Sequence, residues 1–88
     1  MIEISKVMSL STAHITERTA DLLIRDELEP AVYQKDKHGW FIFVPKEIVA
    51  VPDDLGIVMD FARRHGCSWI DMDCAGNTVP FLPTYEWH

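Results

Sequence analysis

The run Trp40-Phe41-Ile42-Phe43-Val44 most narrows what this chain can fold into. Five large apolar residues, aromatic or β-branched, read as a strand. Successive strand side chains point to opposite faces, so a run apolar on both parities predicts a strand buried on both faces. A second β-rich run, Ala31-Val32-Tyr33-Gln34-Lys35, stands just before it. Between the two, Asp36-Lys37-His38-Gly39 predicts a hairpin with a four-residue loop.

On either side of this hairpin the apolar period changes to that of a helix. From Thr16 to Leu28, Ala20, Leu23, Ile24 and Leu28 fall on one stripe. Thr16 is placed to cap the N-terminus, with Ile15 before it as a staple onto Ala20. Asp21 and Arg25 form an i,i+4 pair, and Pro30 ends the segment. A second helix is framed by Asp53 and Asp54 at its positive end and by Arg63, Arg64 and His65 at its negative end. Leu55, Val58, Met59 and Ala62 form its stripe, and Gly66 suits the left-handed residue beyond it.

Two further strands are expected. Ile2, Ile4, Met8 and Leu10 share a parity over about residues 3 to 10, interrupted by Lys6. Cys67 to Asp73 reads as a strand with Ile70 and Met72 toward the core and Trp69 away from it. Gly76-Asn77 suits a hairpin turn, after which Pro80 allows only an edge strand or arm. The order is β-α-β-β-α-β, in an α+β fold with two helices on one face of an antiparallel sheet. That order and length suit the ferredoxin-like split βαβ arrangement.

Residues 1–88 read as one domain. A hydrophobic share of 48% against 25% charged is ordinary for a folded chain. The net charge of −6, from 14 acidic and 8 basic residues, disfavours nucleic-acid backbones and anionic membranes as direct partners. The acidic residues are scattered, whereas an acidic nucleic-acid mimic needs carboxylates spaced like phosphates on one face. Met1-Ile2-Glu3 lacks the basic start of a signal peptide, and no apolar run approaches the roughly 18 residues of a membrane span. A cytoplasmic protein with Cys67 and Cys74 reduced is the expectation.

Three groups of residues are candidates for function. In the antiparallel arrangement His14, His38, His65 and Cys67 meet at one edge of the sheet, and imidazole and thiolate are the donors Zn²⁺ prefers. A metal-binding or hydrolytic protein follows from that grouping, as does a His14–Cys67 base–nucleophile dyad. The plainer reading makes His38 and His65 capping or solvated residues, His14 a loop hydrogen-bonder and Cys67 a core thiol. Asp71 and Asp73, on one side of a strand, suit a hard cation or simply a solvated face. The third group is aromatic: Trp40, Trp69, Phe81, Tyr85 and Trp87 form a candidate interface. A tail carrying three rings is not composed like a disordered one. It is expected to dock over the sheet face around Trp40 and Trp69, on its own domain or on a second copy or partner.

Four segments carry a resemblance: Ser11-Thr12-Ala13-His14-Ile15-Thr16, Gly39-Trp40-Phe41-Ile42-Phe43-Val44-Pro45, Ala62-Arg63-Arg64-His65-Gly66-Cys67 and Leu82-Pro83-Thr84-Tyr85-Glu86-Trp87. They resemble a family of short bacterial and phage proteins defined only as a domain of unknown function. The resemblance brings no activity, ligand or catalytic residue. It implies an accessory product of phages or mobile elements, a setting in which small acidic proteins often bind a host protein. A protein-interaction module, binding a protein partner or itself, is the function the sequence favours.

Overall fold

A computed structural model describes residues 4–36, 39–47 and 49–87. Along the chain run β1 (Val7–Ser11), a 3-10 turn (Thr12–His14), α1 (Glu17–Ile24), β2 (Val32–Asp36), β3 (Gly39–Phe43), α2 (Asp53–Arg64) and β4 (Trp69–Asp73). The four strands form one mixed sheet in the order β1-β4-β3-β2. The class is α+β, but the sheet is not the antiparallel ferredoxin-like one. β1 lies parallel to β4, with Val7 beside Trp69 and Ser11 beside Asp73, while β3 pairs antiparallel with both β4 and β2. Alternation in β1 specifies which residues face the core, and that is equally satisfied beside either neighbour and in either direction. Ile2 and Glu3, which the periodicity assigns to the start of this strand, lie outside the described residues.

One face of the sheet carries the core. Leu10, Trp40, Ile42, Ile70 and Met72 are buried there against Leu23 of α1 and Leu55, Val58, Met59 and Ala62 of α2. The indole N–H of Trp40 has no hydrogen-bond partner among the described residues. β3 departs from its sequence reading. Trp40 and Ile42 are buried, but Phe41 is 37% exposed and Phe43 half-buried. Only one side of the apolar run is covered.

The helices end by the same device. In α1 the Glu27 N–H reaches the Leu22 carbonyl (3.1 Å) and the Asp26 N–H that of Leu23 (3.2 Å), closing a Schellman motif around Asp26 at φ 55°. That stops the helix at Ile24, four residues before Leu28, where the apolar stripe alone would carry it. In α2 the pattern recurs around Gly66 at φ 73°, with Cys67 N–H on the Ala62 carbonyl and Gly66 N–H on that of Arg63.

The helix starts are joined by one carboxylate. Thr16 caps α1 by accepting from the Thr19 N–H (3.2 Å). Asp54, buried in the first turn of α2, accepts the Thr16 N–H (2.7 Å) and hydroxyl (3.1 Å) on Oδ2 and the Thr19 hydroxyl (2.8 Å) on Oδ1. Both positive helix ends therefore meet on a single negative charge. Burial on its own would push the Asp54 carboxyl up. The bonds from Thr16 and Thr19, with the Leu55 N–H, outweigh it and hold the group below its ordinary 3.8.

Two stability predictions follow from these ends. A carboxyl with a depressed folded pKa stabilises above its unfolded value and loses that contribution as pH falls through the folded one. Asp54→Asn should therefore cost about 2 kcal/mol near pH 7. Urea titrations should also show the gap between variant and wild type closing as the pH drops below 3.8. Asp26→Gly should raise stability by about 0.5–1 kcal/mol, since glycine adopts the left-handed region without a Cβ penalty.

Candidate functional site

The candidate metal ligands are built on opposite ends of the sheet. His14 follows the end of β1, whereas His65 and Cys67 precede the start of β4. Because the two strands are parallel, roughly 13 Å of strand separates those ends. At the lower end Lys6 O receives the Ser68 N–H (3.0 Å) and Lys6 Nζ bonds the His65 carbonyl (3.0 Å). The shared edge expected for His14, His65 and Cys67 depended on β1 running the other way, and the His14–Cys67 dyad fails with it. His38 lies outside the described residues. Among the described residues no group of three or more His, Cys, Asp or Glu side chains is placed to hold a metal ion.

Each of these residues has a structural task. His14 is fully buried; its Nε2 accepts the Val79 N–H (2.9 Å) and its Nδ1 donates to the Pro83 carbonyl (2.8 Å). A backbone N–H only donates and a carbonyl only accepts, so the ring is the neutral Nδ1–H tautomer. His65 donates from Nδ1 to the Phe61 carbonyl one turn back in α2 (2.9 Å) and packs on the Phe61 ring. Cys67 is buried and Cys74 exposed, both as free thiols.

His14 anchors the C-terminal arm. The Tyr85 N–H bonds the Ala13 carbonyl (2.8 Å), the Trp87 indole N–H bonds the Ile15 carbonyl (2.9 Å), and Leu82 is buried. The arm thus docks in cis, but along the 3-10 turn and not over the aromatic face. It forms no strand, because β4 lies between β1 and β3 and offers no edge to a hairpin partner. Instead, Gly76 passes so close to the Leu10 carbonyl that a Cβ there would collide with it, and Asn77 O takes the Ser11 N–H (2.9 Å). Of the arm's rings, Phe81 stands 84% exposed beside Ile57 and Phe61 of α2, and Trp87 keeps 41% exposure.

What the arm leaves open is the outer face of the sheet. The register sorts this face into three rows across the strands: Val7, Trp69 and Phe43; then Ser9, Asp71, Phe41 and Tyr33; then Ser11, Asp73 and Gly39. Trp69 packs edge-on against Phe43 (5.2 Å between centroids) and tilted against Tyr33 (5.9 Å). Tyr33 is 61% exposed and Val7 50%, and none of the four rings belongs to the core cluster. Trp40 shares β3 with them but points the other way, into the core, so it adds no ring to this face. Trp69 faces outward as the alternation predicts. Phe41 and Phe43, from the run for which burial on both faces was expected, and Tyr33, from the run before it, complete the face.

Lys35 reaches across β3 on this face. Its ammonium lies 2.7 Å from Asp71 and 2.9 Å from Asp73, and 5.3 Å from the centre of the Phe41 ring. The hydrogen bonds to Asp71 and then Asp73 raise the lysine above its ordinary range. Asp73 also accepts the Ala75 N–H (2.9 Å), which turns the chain out of β4. The two carboxylates are therefore neither a cation site nor a bare acidic row; they hold Lys35.

Several clefts open away from this face among the described residues. One of about 520 Å³ opens at the helix starts, lined by Thr16, Arg18, Thr19 and Asp54 among others, but the Asp54 carboxylate is already committed there. The others flank α2. No described helix is long and apolar enough to cross a membrane.

A family model described as the C-terminal domain of a family of unknown function, DUF5983, matches residues 7–87. Neither the curated proteins nor the solved structures contain a significant match.

The His14 clamp predicts a local effect. His14→Ala should speed amide hydrogen exchange at Val79 and Tyr85 by at least tenfold, while Ile70 and Ile42 in the sheet change by no more than the global loss of stability. Equal acceleration throughout would show that His14 supports the core, not the arm.

Proposed function

Since the chain belongs to the DUF5983 family, whose function is unknown, its role must be read from its own surface, and we propose that it is a small protein-interaction module binding through the outer face of its sheet. The observation that carries this reading is the cluster of Tyr33, Phe41, Phe43 and Trp69, drawn from three strands and lying outside the core. Contiguous exposed apolar surface marks an interaction site, and aromatic residues are enriched at the centres of interfaces. None of the clefts described above is lined by these rings, and small molecules are held in concave pockets.

Aromatic sheet faces also stack single-stranded RNA bases. Two carboxylates, Asp71 and Asp73, stand among these rings, both bonded to Lys35, and the chain carries a net charge of −6. Phosphate contacts need the opposite balance. A protein is the better partner.

Phe41→Asp puts a charge in the middle of the face, directly opposite Asp71, so circular dichroism of the variant should accompany the test to confirm that it is folded. Phe81→Asp alters an exposed ring on the other side of the molecule. Photo-crosslinking in cells, with the probe at Tyr33, should yield adducts in wild type and in Phe81→Asp, and lose them in Phe41→Asp. Undiminished adducts in Phe41→Asp would remove the sheet face as the interface.

A further inference from the structure

Independently of the outer face, we infer that the free edge of β1 takes up an extended segment of a partner protein as a fifth strand of the sheet.

The backbone decides which groups are on offer. The Lys6 carbonyl accepts the Trp69 N–H (3.3 Å), so Lys6, Met8 and Leu10 turn their main-chain groups toward β4. Val7, Ser9 and Ser11 turn theirs to the other side, where the sheet has no strand. Ser11 shows the direction, because its N–H bonds the Asn77 carbonyl (2.9 Å). The chain thus makes one main-chain rung on this edge itself. Beyond that rung, the N–H and C=O groups of Val7 and Ser9 have no partner among the described residues, and both residues are exposed. A row of such groups is a template for another strand.

The two edges of the sheet differ in how they are guarded. β2, the opposite edge, follows Pro30 and carries Lys35 and Asp36, and its register shifts between Gln34 and Asp36. Charge, proline and irregular pairing are the features that blunt an edge. β1, with the sequence Val7-Met8-Ser9-Leu10-Ser11, has none of them, and Lys6 before it is held on the His65 carbonyl (3.0 Å).

Size and chemistry select the occupant. Five residues of strand run about 17 Å, and the edge is one backbone thick. Two folded proteins need about 800 Å² from each side for a standard stable interface, several times such a strip. A linear segment needs only the strip: main-chain bonds hold it, and alternate side chains give selectivity. On the outer face those side chains fall beside Val7, at the end of the apolar row it forms with Trp69 and Phe43. On the helix side they fall beside Met8, which packs partly buried against the core. Apolar residues suit both sides of the segment at this level. Asn77 already fills the rung at Ser11, so the segment lies along Val7 to Ser9.

A displayed library of short linear peptides, selected on the immobilised full chain, tests this. Bound peptides should slow amide hydrogen exchange at Val7 and Ser9 at least tenfold. Ser9→Pro removes an N–H that no bond within the fold uses, and proline is tolerated on edge strands. It should weaken the peptides at least tenfold, while Ser9→Ala and Phe41→Asp change their affinity less than twofold. Peptides lost on Phe41→Asp but kept on Ser9→Pro would overturn strand addition and leave the sheet face as the interface. An unproductive selection, or binding that leaves Val7 and Ser9 unprotected, would overturn it outright. If Ser9→Pro fails to fold by circular dichroism, exchange at these two amides in the wild type decides alone. Protection that grows with the concentration of the chain itself, without peptide, would assign the edge to a second copy and overturn the linear segment.

Discussion

The rest of the molecule depends on β4 having a neighbour at each edge. β1 pairs along one side in parallel and β3 along the other, so the last strand in sequence lies inside the sheet. The chain leaving it cannot double back as another strand. It crosses the end of β1 at Gly76, where only a glycine admits the approach to Leu10, and runs on beside the 3-10 turn. His14 then holds it there with both ring nitrogens. The tail is spent on the helix side of the molecule, and the arm leaves the outer face of the sheet uncovered among the described residues.

Asp54 makes the same asymmetry from the other direction. By accepting from Thr16 and Thr19 while standing in the first turn of α2, it ties the starts of both helices together on one side of the sheet. The core is therefore single: Leu10, Ile42, Ile70 and Met72 below, the two helices above. An open face is costly in apolar surface, and here it carries four rings braced by their own contacts and by Lys35. These rings take no part in the core cluster.

Much of this was legible in local signals. The stripe and charged ends of α2, its glycine stop, the Thr16 cap, the Asp21–Arg25 pair and the facing of Ile70, Met72 and Trp69 all follow from neighbours within a turn or a strand. The end of α1 was hidden because Asp26, not glycine, takes the left-handed position. What period and propensity do not encode is which elements meet. The parallel pairing of β1 was invisible for that reason, and with it fell the grouping of His14, His65 and Cys67. Asp54 reads as a helix-dipole charge in sequence, yet its partners lie 38 and 35 residues away. Trp40 and Phe41 are adjacent and alike in composition; only the helices, by covering one side, decide that the first is core and the second is surface.

That the outer face is bare in the free protein can be read directly with a soluble gadolinium chelate, through paramagnetic broadening of aromatic NMR signals in the full chain. Tyr33, Phe41 and Trp69 should broaden strongly, Trp40 should stay sharp, and Trp87 should show nuclear Overhauser contacts to Ile15. Protection of Phe41 and Trp69, or contacts from Phe81, Tyr85 or Trp87 to either of them, would place the arm over the sheet and contradict it.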